Sequence, residues 1–348
     1  MQKKKVVVAM SGGVDSSVAA ALLKQEGYDV TGVSMQLLPE ESSFEEARHC
    51  AELLEFSHRV LDLRKPFQEL VVSNFASQYR AGRTPNPCIR CNAHVKFGLL
   101  LEEAIQNDAD FIATGHYARI ENDRQGKRSR YLLKRGIDAR KDQSYFLYTL
   151  TQFQLKHTLL PVGDRTKDEV REIAARHGLP VSQRPESQEI CFIAGNNYRT
   201  FFKKQGMASP PGTITDRTGK MLGQHSGVTH YTIGQRRGLG IAGTEPYYVI
   251  RIAPELNQIV VGRRREAFFR TLAAVDVNWI AEPVTKAEQI HAKIRSLHTA
   301  APADLFPLGP RSVRLTFHTP QWAITPGQAV VFYRGDLVLG GGTIEDAE

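Results

Sequence analysis

The sequence predicts an α/β protein whose N-terminal domain contains a parallel sheet, followed by a small, mainly β central domain and a C-terminal β-barrel. Residues 4–115 alternate short β-branched runs with amphipathic segments, which is the pattern of a parallel sheet covered by helices on both faces. After about residue 208 strands and turns dominate, and from about Leu272 runs of alternating polarity indicate a separate barrel or sandwich. We therefore predict three domains, which span residues 1–207, 208–271 and 272–348.

The elements of the N-terminal domain follow from their residue patterns. A helix is predicted from Thr166, because TKDEVREIAARHG has a threonine cap, acids in its first turn and a glycine at its end. The preceding strands and helices are predicted to be, in order, KVVVA, SSVAAALLKQEG, DVTGVSM, a helix around Cys50, HRVLDL, a helix through Tyr79, a helix from about Ala93, and DFIATG.

The later strands are predicted from alternating polarity and from turn residues. SPPGTITDRTGK is rich in proline and glycine and marks a turn region where the central domain begins. The strands predicted after it include GVTHYTIGQ, YYVIRIAP and NQIVVG in the central domain, and AKIRSL, RSVRLTF, QAVVFYRG and LVLGGGTI in the barrel.

A chain of 348 residues with 41% hydrophobic and 24% charged residues has the composition of a folded globular protein. No apolar run approaches the roughly 18 residues that a membrane span requires. The apolar part of the N-terminus, VVVAM, is too short for the core of a signal peptide. We therefore expect a soluble protein that acts in the cytoplasm and does not use a membrane partner.

The formal net charge of +8 favours a polyanionic partner such as a nucleic acid. The clearest basic cluster runs from Arg124 to Lys141 and holds eight Lys or Arg residues against one Asp. A second basic cluster, GRRRE, lies near residue 264. Clustering of this kind is more informative than the net charge, because it indicates a surface that a polyanion could contact.

The strongest chemical signal is the stretch VVVAMSGGVDSSVAA. A strand ends at Ala9, two glycines allow a tight turn, and serines with Asp15 open the next helix. Amide N–H groups and the positive end of the helix then converge on one point, which suits a phosphate group. The loop lacks the lysine of the GxxxxGK[ST] pattern and lacks GxGxxG, so the sequence argues against a Walker-type ATPase and against a dinucleotide fold.

The four cysteines, at positions 50, 88, 91 and 191, are too few for a disulfide framework and fit a reducing compartment. Cys50 lies in an amphipathic helix and is predicted to be structural. Cys88 and Cys91 lie three residues apart in TPNPCIRCN. This pair could form a metal knuckle, a redox pair or half of a catalytic site, and the spacing alone leaves the three open.

The loop SGGVDSS resembles the pyrophosphate loop (PP-loop) of the ATP pyrophosphatases, which have an adenine nucleotide alpha hydrolase-like fold and cleave ATP between the α and β phosphates. Further stretches resemble one family of this group, the tRNA-specific 2-thiouridylases. These stretches are GRTPNPCIRCN (82–92), ATGHYAR (113–119), KDQSYFLY (141–148), SQEICFIAG (187–195), YTIGQRRGLGI (231–241) and TPGQAVVFY (325–333). They occur in order across all three predicted domains.

The resemblance implies an enzyme that replaces the C2 oxygen of the wobble uridine by sulfur in tRNAs of the Lys, Glu and Gln type. ATP would adenylate that oxygen with Mg²⁺ as cofactor, so that AMP becomes the leaving group. Cys191 would carry the sulfur as a persulfide received from a donor such as a cysteine desulfurase or a relay protein. Cys91 would act as the nucleophile that frees the sulfur, leaving a disulfide with Cys191. Both thiols are expected to have a lowered pKa, which basic residues and helix N-termini can provide.

The resemblance also implies the other site residues. ATP contacts are expected at Ala9, Met10, Ser11, Gly12, Gly13, Val14, Asp15, Ser16, Met35 and Gly115. Contacts with tRNA are expected at Asn86, Pro87, Cys88, His116, Lys141, Asp142, Gln143, Arg295, Ser296 and Gln328. Met35 and Gly115 end predicted strands, where a parallel sheet is expected to bind its ligand.

Cys88 departs from the family pattern, which has Asp at this position. A thiol does not simply replace a carboxylate, because its ordinary pKa is about 8.5 against about 3.9 for Asp. Three interpretations remain open. Cys88 could be a bystander in persulfide chemistry, or it could hold a [4Fe–4S] cluster together with Cys91 and Cys191. A structural zinc site is the third, although no second CxxC supplies the remaining ligands.

Two other functions are compatible with parts of the sequence. One is a non-catalytic RNA-binding protein with a degenerate nucleotide loop and a structural metal site. The other is an AMP-forming enzyme with a different acceptor, which would not need two separated cysteine motifs. The intact loop, with Asp15 and both serines, and the motif around Cys191 favour the thiolation enzyme over both.

Overall fold

The computed structural model describes residues 3–39, 44–123, 129–180, 190–193, 195, 197–207 and 209–348. It confirms the predicted fold class, with a parallel sheet at the N-terminus, a small β domain in the middle and a β-barrel at the C-terminus. The predicted domain boundaries remain predictions, and residue 208 lies outside the described residues. None of the described helices combines the length and the apolar content that crossing a membrane requires.

Within the described part of the chain, the N-terminal sheet has five parallel strands. They are β1 (Lys5–Ala9), β2 (Asp29–Gln36), β3 (Ser57–Asp62), β4 (Phe111–Ala113) and β7 (Thr158–Leu159), in the spatial order β3-β2-β1-β4-β7. β2 and β3 therefore lie on one side of β1, and β4 and β7 lie on its other side. The carboxyl end of β1 is thus the point where the strand order reverses, and ligands bind parallel sheets at such a point.

Helices cover both faces of this sheet. The α-helices are α1 (Val14–Gln25), α2 (Phe44–Leu53), α3 (Arg64–Phe67), α4 (Ser73–Arg80), α5 (Pro87–Cys91), α6 (Leu100–Gln106), α7 (Gln152–Lys156), α8 (Lys167–Arg176) and α9 (Tyr198–Lys204). The π-helical segments Gln68–Val72 and Asn92–Leu99 join α3 to α4 and α5 to α6. Short 3₁₀ turns span Ser144–Phe146, Val228–His230, Pro254–Leu256 and Arg264–Ala267.

Helix starts follow local capping. The predicted helix after Thr166 is confirmed, since the Thr166 side chain accepts from the Glu169 N–H and the two residues form a capping box. The helix predicted from about Ala93 begins earlier, at Pro87. Asn86 caps it by accepting from the N–H groups of Cys88 and Ile89, and proline suits the first helical position. The capping role of Asn86 was therefore the signal that the sequence interpretation missed.

Alternate residues of β1 enter two different cores, which explains its uninterrupted apolar sequence. Val6 and Val8 pack with α1, α2 and α8 on one face. Val7 and Ala9 pack with α6 on the other face, in a core that continues into barrel residues such as Tyr333. The N-terminal domain and the barrel therefore share one buried interior.

The two β domains are built from antiparallel neighbours with one parallel pair. The central sheet has the order β10-β11-β8-β9, with β8 (Gly212–Thr215), β9 (Met221–His225), β10 (Tyr248–Ala253) and β11 (Gln258–Gly262). The barrel strands are β12 (Phe268–Trp279), β13 (Glu288–Lys293), β14 (Ala301–Gly309), β15 (Ser312–Trp322), β16 (Ala329–Arg334) and β17 (Leu337–Ala347). Pairing of β12 with β17 closes the barrel. The hairpin of β5 (Ala118–Asp123) and β6 (Arg130–Arg135) joins it at β17.

A barrel loop holds the segment that leads into α5. Gln328 Nε2 donates to the Thr84 carbonyl at 2.7 Å, and the Thr84 N–H donates to the Pro326 carbonyl at 2.9 Å. Gly327 has φ +90°, and a Cβ there would lie 2.9 Å from Arg83 Cβ. Because Gly327 has no side chain, the loop can approach the backbone of the N-terminal domain closely. The C-terminal barrel thus positions the cysteine-bearing helix.

Candidate active site

A cavity of about 450 Å³ lies at the carboxyl ends of β1, β2 and β4. It brings together residues that the sequence analysis assigned to three separate roles: nucleotide contacts, thiols and tRNA contacts. The predicted residues that line it are Ala9, Met10, Ser11, Asp15, Ser16, Met35, Pro87, Cys88, Cys91, Gly115, His116, Gln143 and Cys191.

The loop between β1 and α1 is closed by its own serines. Ser16 Oγ donates to the Gly13 carbonyl at 3.1 Å and accepts from the Ser11 N–H at 3.2 Å. Gly12 has φ +70°, a conformation that favours glycine, and Gly13 occupies the cap position of α1. Among the described residues, no side chain caps α1 at Gly13. Asp15 and Ser16, in the first turn of this 12-residue helix, line the cavity, and the amides of such a turn can bind an anion.

Asp15 is held by two residues that the sequence analysis did not single out. Lys167 Nζ lies 2.7 Å from Oδ1 and 2.9 Å from Oδ2 of Asp15, and the Tyr117 hydroxyl donates to Oδ1 at 2.7 Å. The Lys167 side chain is only 5% exposed, whereas that of Asp15 is 29% exposed. The carboxylate is therefore fixed in orientation and still reachable from the cavity.

Glycine is required at position 115 because the segment that follows β4 lies very close to the start of α1. A Cβ at Gly115 would lie 2.6 Å from the carbonyl carbon of Asp15 and 2.7 Å from the nitrogen of Ser16. Both are backbone atoms that cannot rotate away. The residue predicted to contact adenosine therefore also sets the position of the phosphate-binding loop.

We expect Gly115→Ala to weaken ATP binding at least about tenfold and to lower the free energy of unfolding by about 1–3 kcal/mol, because the added methyl group displaces the start of α1. Calorimetric titration with ATP and thermal unfolding check the two effects. Gly13→Ala is the stability control, since its Cβ would only touch Ser11 Oγ at 3.4 Å. Wild-type ATP affinity in Gly115→Ala would contradict the expectation.

His116 lies on the cavity wall. Its Nδ1 lies 2.7 Å from Thr114 Oγ1, and its ring packs against Phe97 with centroids 5.7 Å apart. Burial, and next the charge of Lys96, hold the pKa of His116 well below its usual range. Lys96, which the sequence analysis did not identify, lines the same cavity.

The three cysteines of the cavity differ in accessibility. Cys88 and Cys191 are exposed, whereas Cys91 is 8% exposed and packs in an aromatic cluster that includes Phe75 and Tyr79. Cys50, Cys88 and Cys91 are thiols without a disulfide bond among the described residues.

The expectation of a lowered pKa is wrong for Cys91 in this state. Desolvation is the largest effect and raises the pKa of Cys91, the charge of Lys96 lowers it by less, and the neighbouring Cys88 raises it least. The pKa of the Cys88 thiol is raised in the same way, because the cavity wall desolvates it although part of the residue is open to solvent. Desolvation by tertiary packing therefore outweighs the nearby positive charge.

The thiols do not form a metal site in this arrangement. Across the described residues, no group of three or more His, Cys, Asp or Glu side chains is placed to hold a metal ion. The described arrangement of Cys88, Cys91 and Cys191 therefore gives no support to a [4Fe–4S] cluster or to a closed zinc site. A Mg²⁺ ion needs fewer protein ligands, because one or two carboxylates together with substrate phosphates are enough to bind it. The Asp15 carboxylate can supply such a ligand.

Several residues that are predicted to contact tRNA form hydrogen bonds to other residues of the protein. Gln143 Oε1 accepts from the Tyr117 N–H at 3.0 Å, and Asp142 Oδ1 accepts from the Ser144 N–H at 3.0 Å. Arg295 Nη1 donates to the Trp322 carbonyl at 3.2 Å. Lys141, Asp142, Arg295, Ser296 and Gln328 are not among the described residues that line the cavity, so it does not bring them to the thiols.

The basic cluster from Arg124 to Lys141 is only partly described, since residues 124–128 lie outside the described residues. Arg130 Nη1 donates to the Ile280 and Ala281 carbonyls, both at 2.9 Å, and so joins the β5–β6 hairpin to the barrel. Arg135 stacks on the Tyr333 ring, 4.0 Å from its centroid. Part of the cluster therefore serves interdomain packing.

Residues 187–189 of the motif around Cys191 also lie outside the described residues.

Together, the parallel sheet, the uncapped loop at its switch point and the cavity lined by thiols define an α/β nucleotide-binding protein with two appended β domains. Three family models match the chain in sequence. They are described as the tRNA methyl transferase HUP domain (residues 4–195), the tRNA methyl transferase PRC-barrel domain (residues 199–263) and the aminomethyltransferase beta-barrel domain (residues 269–344).

Full-length relatives make the assignment more specific. The tRNA-specific 2-thiouridylase MnmA of Pelotomaculum thermopropionicum is 47% identical over 360 residues, covering 99% of this chain and 98% of the relative. That of Moorella thermoacetica is 50% identical over 355 residues, covering 97% and 99%. The chain belongs to the tRNA-specific 2-thiouridylase family. A solved 4-thiouridine synthetase–RNA complex with bound ATP covers 54% of this chain and 45% of its own, at 20% identity and a TM-score of 0.34, a likeness too low to carry any inference.

Proposed function

We propose that this protein catalyses the ATP-dependent 2-thiolation of the wobble uridine of tRNA, with release of AMP and diphosphate. The observation that carries the proposal is that the phosphate-binding loop and Cys191 line one cavity. A nucleotide site and a sulfur-carrying thiol in the same space are what a reaction through an adenylated oxygen needs. Membership of the 2-thiouridylase family supports the same activity.

The first half of the reaction is adenylation. The amides of the loop and of the first turn of α1 bind the phosphates, and the adenosine lies toward Met35 and Gly115. Asp15 would hold Mg²⁺, which neutralises phosphate charge when it is bound. The C2 oxygen of the uridine attacks the α-phosphorus, diphosphate leaves, and the oxygen is thereby converted from a very poor leaving group into AMP.

The second half is sulfur transfer. The terminal sulfur of a persulfide on Cys191 bonds to C2, and AMP leaves with the electron pair of the C2–O bond. Cys91 then attacks Sγ of Cys191, and the S–S bond breaks toward the transferred sulfur, which becomes the thiocarbonyl. A Cys91–Cys191 disulfide remains, and an external thiol reductant restores both thiols. Since Cys91 and Cys191 line one cavity, this pairing is consistent with the fold.

We propose that tRNA spans the three domains, with Asn86, Pro87, Cys88 and His116 near the target base and Lys141, Asp142, Gln143, Arg295, Ser296 and Gln328 along the approach. The net charge of +8 supports this polyanionic partner. A persulfide donor is the second partner, and the cytoplasm is the proposed compartment. The alternative of a non-catalytic RNA-binding protein with a structural metal site loses support, because the described residues offer no such site.

The direct test uses purified protein, an unmodified tRNA transcript, ATP, Mg²⁺ and a cysteine desulfurase with cysteine. We expect AMP and 2-thiouridine to form in equal amounts, with neither formed from a transcript that has cytidine at the wobble position. Formation of AMP with a different acceptor, or an absence of 2-thiouridine from a folded protein under anaerobic conditions, would refute the proposal.

Cys88→Asp distinguishes Cys88 as a bystander in persulfide chemistry from Cys88 as an iron ligand. We expect this variant to keep thiolation within about threefold of wild type, because Cys88 has no metal to hold in the proposed route. Iron and sulfide analysis after anaerobic purification provides the second readout, and both proteins should lack stoichiometric iron. Cys50→Ala is the matched control, since Cys50 is a buried thiol outside the cavity. Iron bound to wild type and lost with activity in Cys88→Asp would instead support the cluster.

A further inference from the structure

We propose that Lys167 binds the phosphates of ATP in this active site. When no nucleotide is bound, its ammonium group pairs with the Asp15 carboxylate. The proposal rests on the function proposed above and assigns the group that recognises the polyphosphate of ATP. The loop itself lacks the lysine that P-loops use to reach the β and γ phosphates. Lys167 supplies the missing cation from a helix that lies 152 residues further along the chain.

The position of Lys167 is strongly determined. It is the first residue of α8, whose start is set by the capping box of Thr166 and Glu169. The Lys167 N–H donates to Asp138 Oδ2 at 3.1 Å. From this anchored backbone the side chain runs almost fully buried to Asp15, and its Nζ lies 5.8 Å from the centroid of the Tyr117 ring. The ammonium group therefore sits beside the loop that binds phosphate.

The chemistry of the pair predicts an exchange of partners. A buried ammonium group is stable only with an anion close to it. When Mg²⁺ and ATP arrive, the metal and Lys167 compete for the same two carboxylate oxygens, and two cations that close repel each other. The phosphates bring new acceptors to the adjacent loop, so Lys167 can turn from Asp15 to a phosphate oxygen. Every buried charge then keeps a partner, and the Tyr117 hydroxyl keeps Asp15 oriented.

The two side chains would therefore have different partners in the nucleotide complex. Asp15 would bind Mg²⁺ and Lys167 would bind phosphate oxygens, so Lys167 contributes to affinity only when the ligand has phosphates beyond the first. ATP and diphosphate should depend on it, whereas AMP should not. A lysine that only supported the fold would affect all three ligands in the same direction.

The test is calorimetric titration of the full-length protein, without tRNA, with ATP, diphosphate and AMP in the presence of Mg²⁺. We expect Lys167→Met to weaken ATP and diphosphate binding at least about tenfold and AMP binding by less than about twofold. Lys167→Arg should recover part of the lost affinity, because it keeps the charge. Lys156→Met is the matched control, since Lys156 is an exposed helical lysine.

The outcomes separate this inference from the proposed function. If wild type binds neither ATP nor diphosphate, the proposed function fails. If wild type binds ATP and Lys167→Met binds ATP and diphosphate equally well, only the role of Lys167 is refuted. An equal loss for AMP, ATP and diphosphate also refutes it, as this is the result of a structural role. Should Lys167→Met not fold, Lys167→Gln is titrated in the same way, and the Asp15→Asn/Lys167→Met double variant is compared with Asp15→Asn alone, so that the loss of the Asp15 carboxylate is common to both proteins.

Discussion

Cys191→Ser is expected to abolish 2-thiouridine formation, with a loss of about 10³-fold or more, while tRNA affinity stays within about twofold of wild type. A serine hydroxyl cannot carry a sulfane sulfur, so the persulfide is never formed. The neighbouring Phe192 explains why binding should survive. Its ring packs against Phe67 at 5.8 Å and Phe75 at 5.3 Å, and these contacts anchor the segment independently of the thiol.

The measurement is single-turnover thiolation of a tRNA transcript, with filter binding of the same transcript to give the affinity. Cys50→Ala is again the control, because it removes a thiol that packs in the core and lies outside the cavity. Normal 2-thiouridine formation by Cys191→Ser would rule out its role as the sulfur carrier. Loss of both thiolation and tRNA binding would show that the segment acts through its structure.

Asp15→Ala is expected to lower AMP formation in the presence of tRNA by about 10²–10³-fold. The change removes the carboxylate proposed to hold Mg²⁺, and it also removes the partner that receives Lys167 and the Tyr117 hydroxyl. Asp15→Asn keeps the size of the side chain and the contact with Tyr117, so it should fold better than Asp15→Ala and still lose most of the activity.

The rate of AMP release from ATP, followed at saturating tRNA and at several Mg²⁺ concentrations, checks this expectation. Thermal unfolding separates a catalytic defect from a folding defect. Asp15→Asn should unfold below the wild-type temperature, because Lys167 loses its anionic partner, so AMP release is measured well below the unfolding midpoint of the variant. Unchanged AMP release by a folded Asp15 variant would overturn the assignment of the ATP site.

The features predicted correctly were those encoded locally. VVVAMSGGVDSS could be identified as a strand, a glycine turn and a helix start, because each of these depends on neighbouring residues. The helix after Thr166 was predicted for the same reason, with its cap, acids and terminal glycine in one stretch. The family resemblance, which rests on motifs in all three domains, was confirmed by the relatives.

The errors arose where packing between distant segments decides the outcome. The pKa of Cys91 was expected to be low from nearby basic residues, yet desolvation by an aromatic cluster raises it. The three cysteines stayed open as a ligand set from their spacing, and their arrangement among the described residues gives that alternative no support. Asn86 also caps α5 through its side-chain oxygen, which the sequence interpretation missed, and its contact with tRNA stays a prediction.

Motifs within the chain therefore identify the fold class, the phosphate-binding loop and the two cysteine segments, since helix caps, glycine turns and strand patterns act over a few residues. The partners of Asp15 and the close approach of Gly115 to α1 come only from tertiary structure. They join residues roughly a hundred or more positions apart, and no local pattern encodes such contacts. The same holds for the cavity that unites the loop with Cys191, because the folding of a parallel sheet brings together strand ends that the sequence keeps far apart.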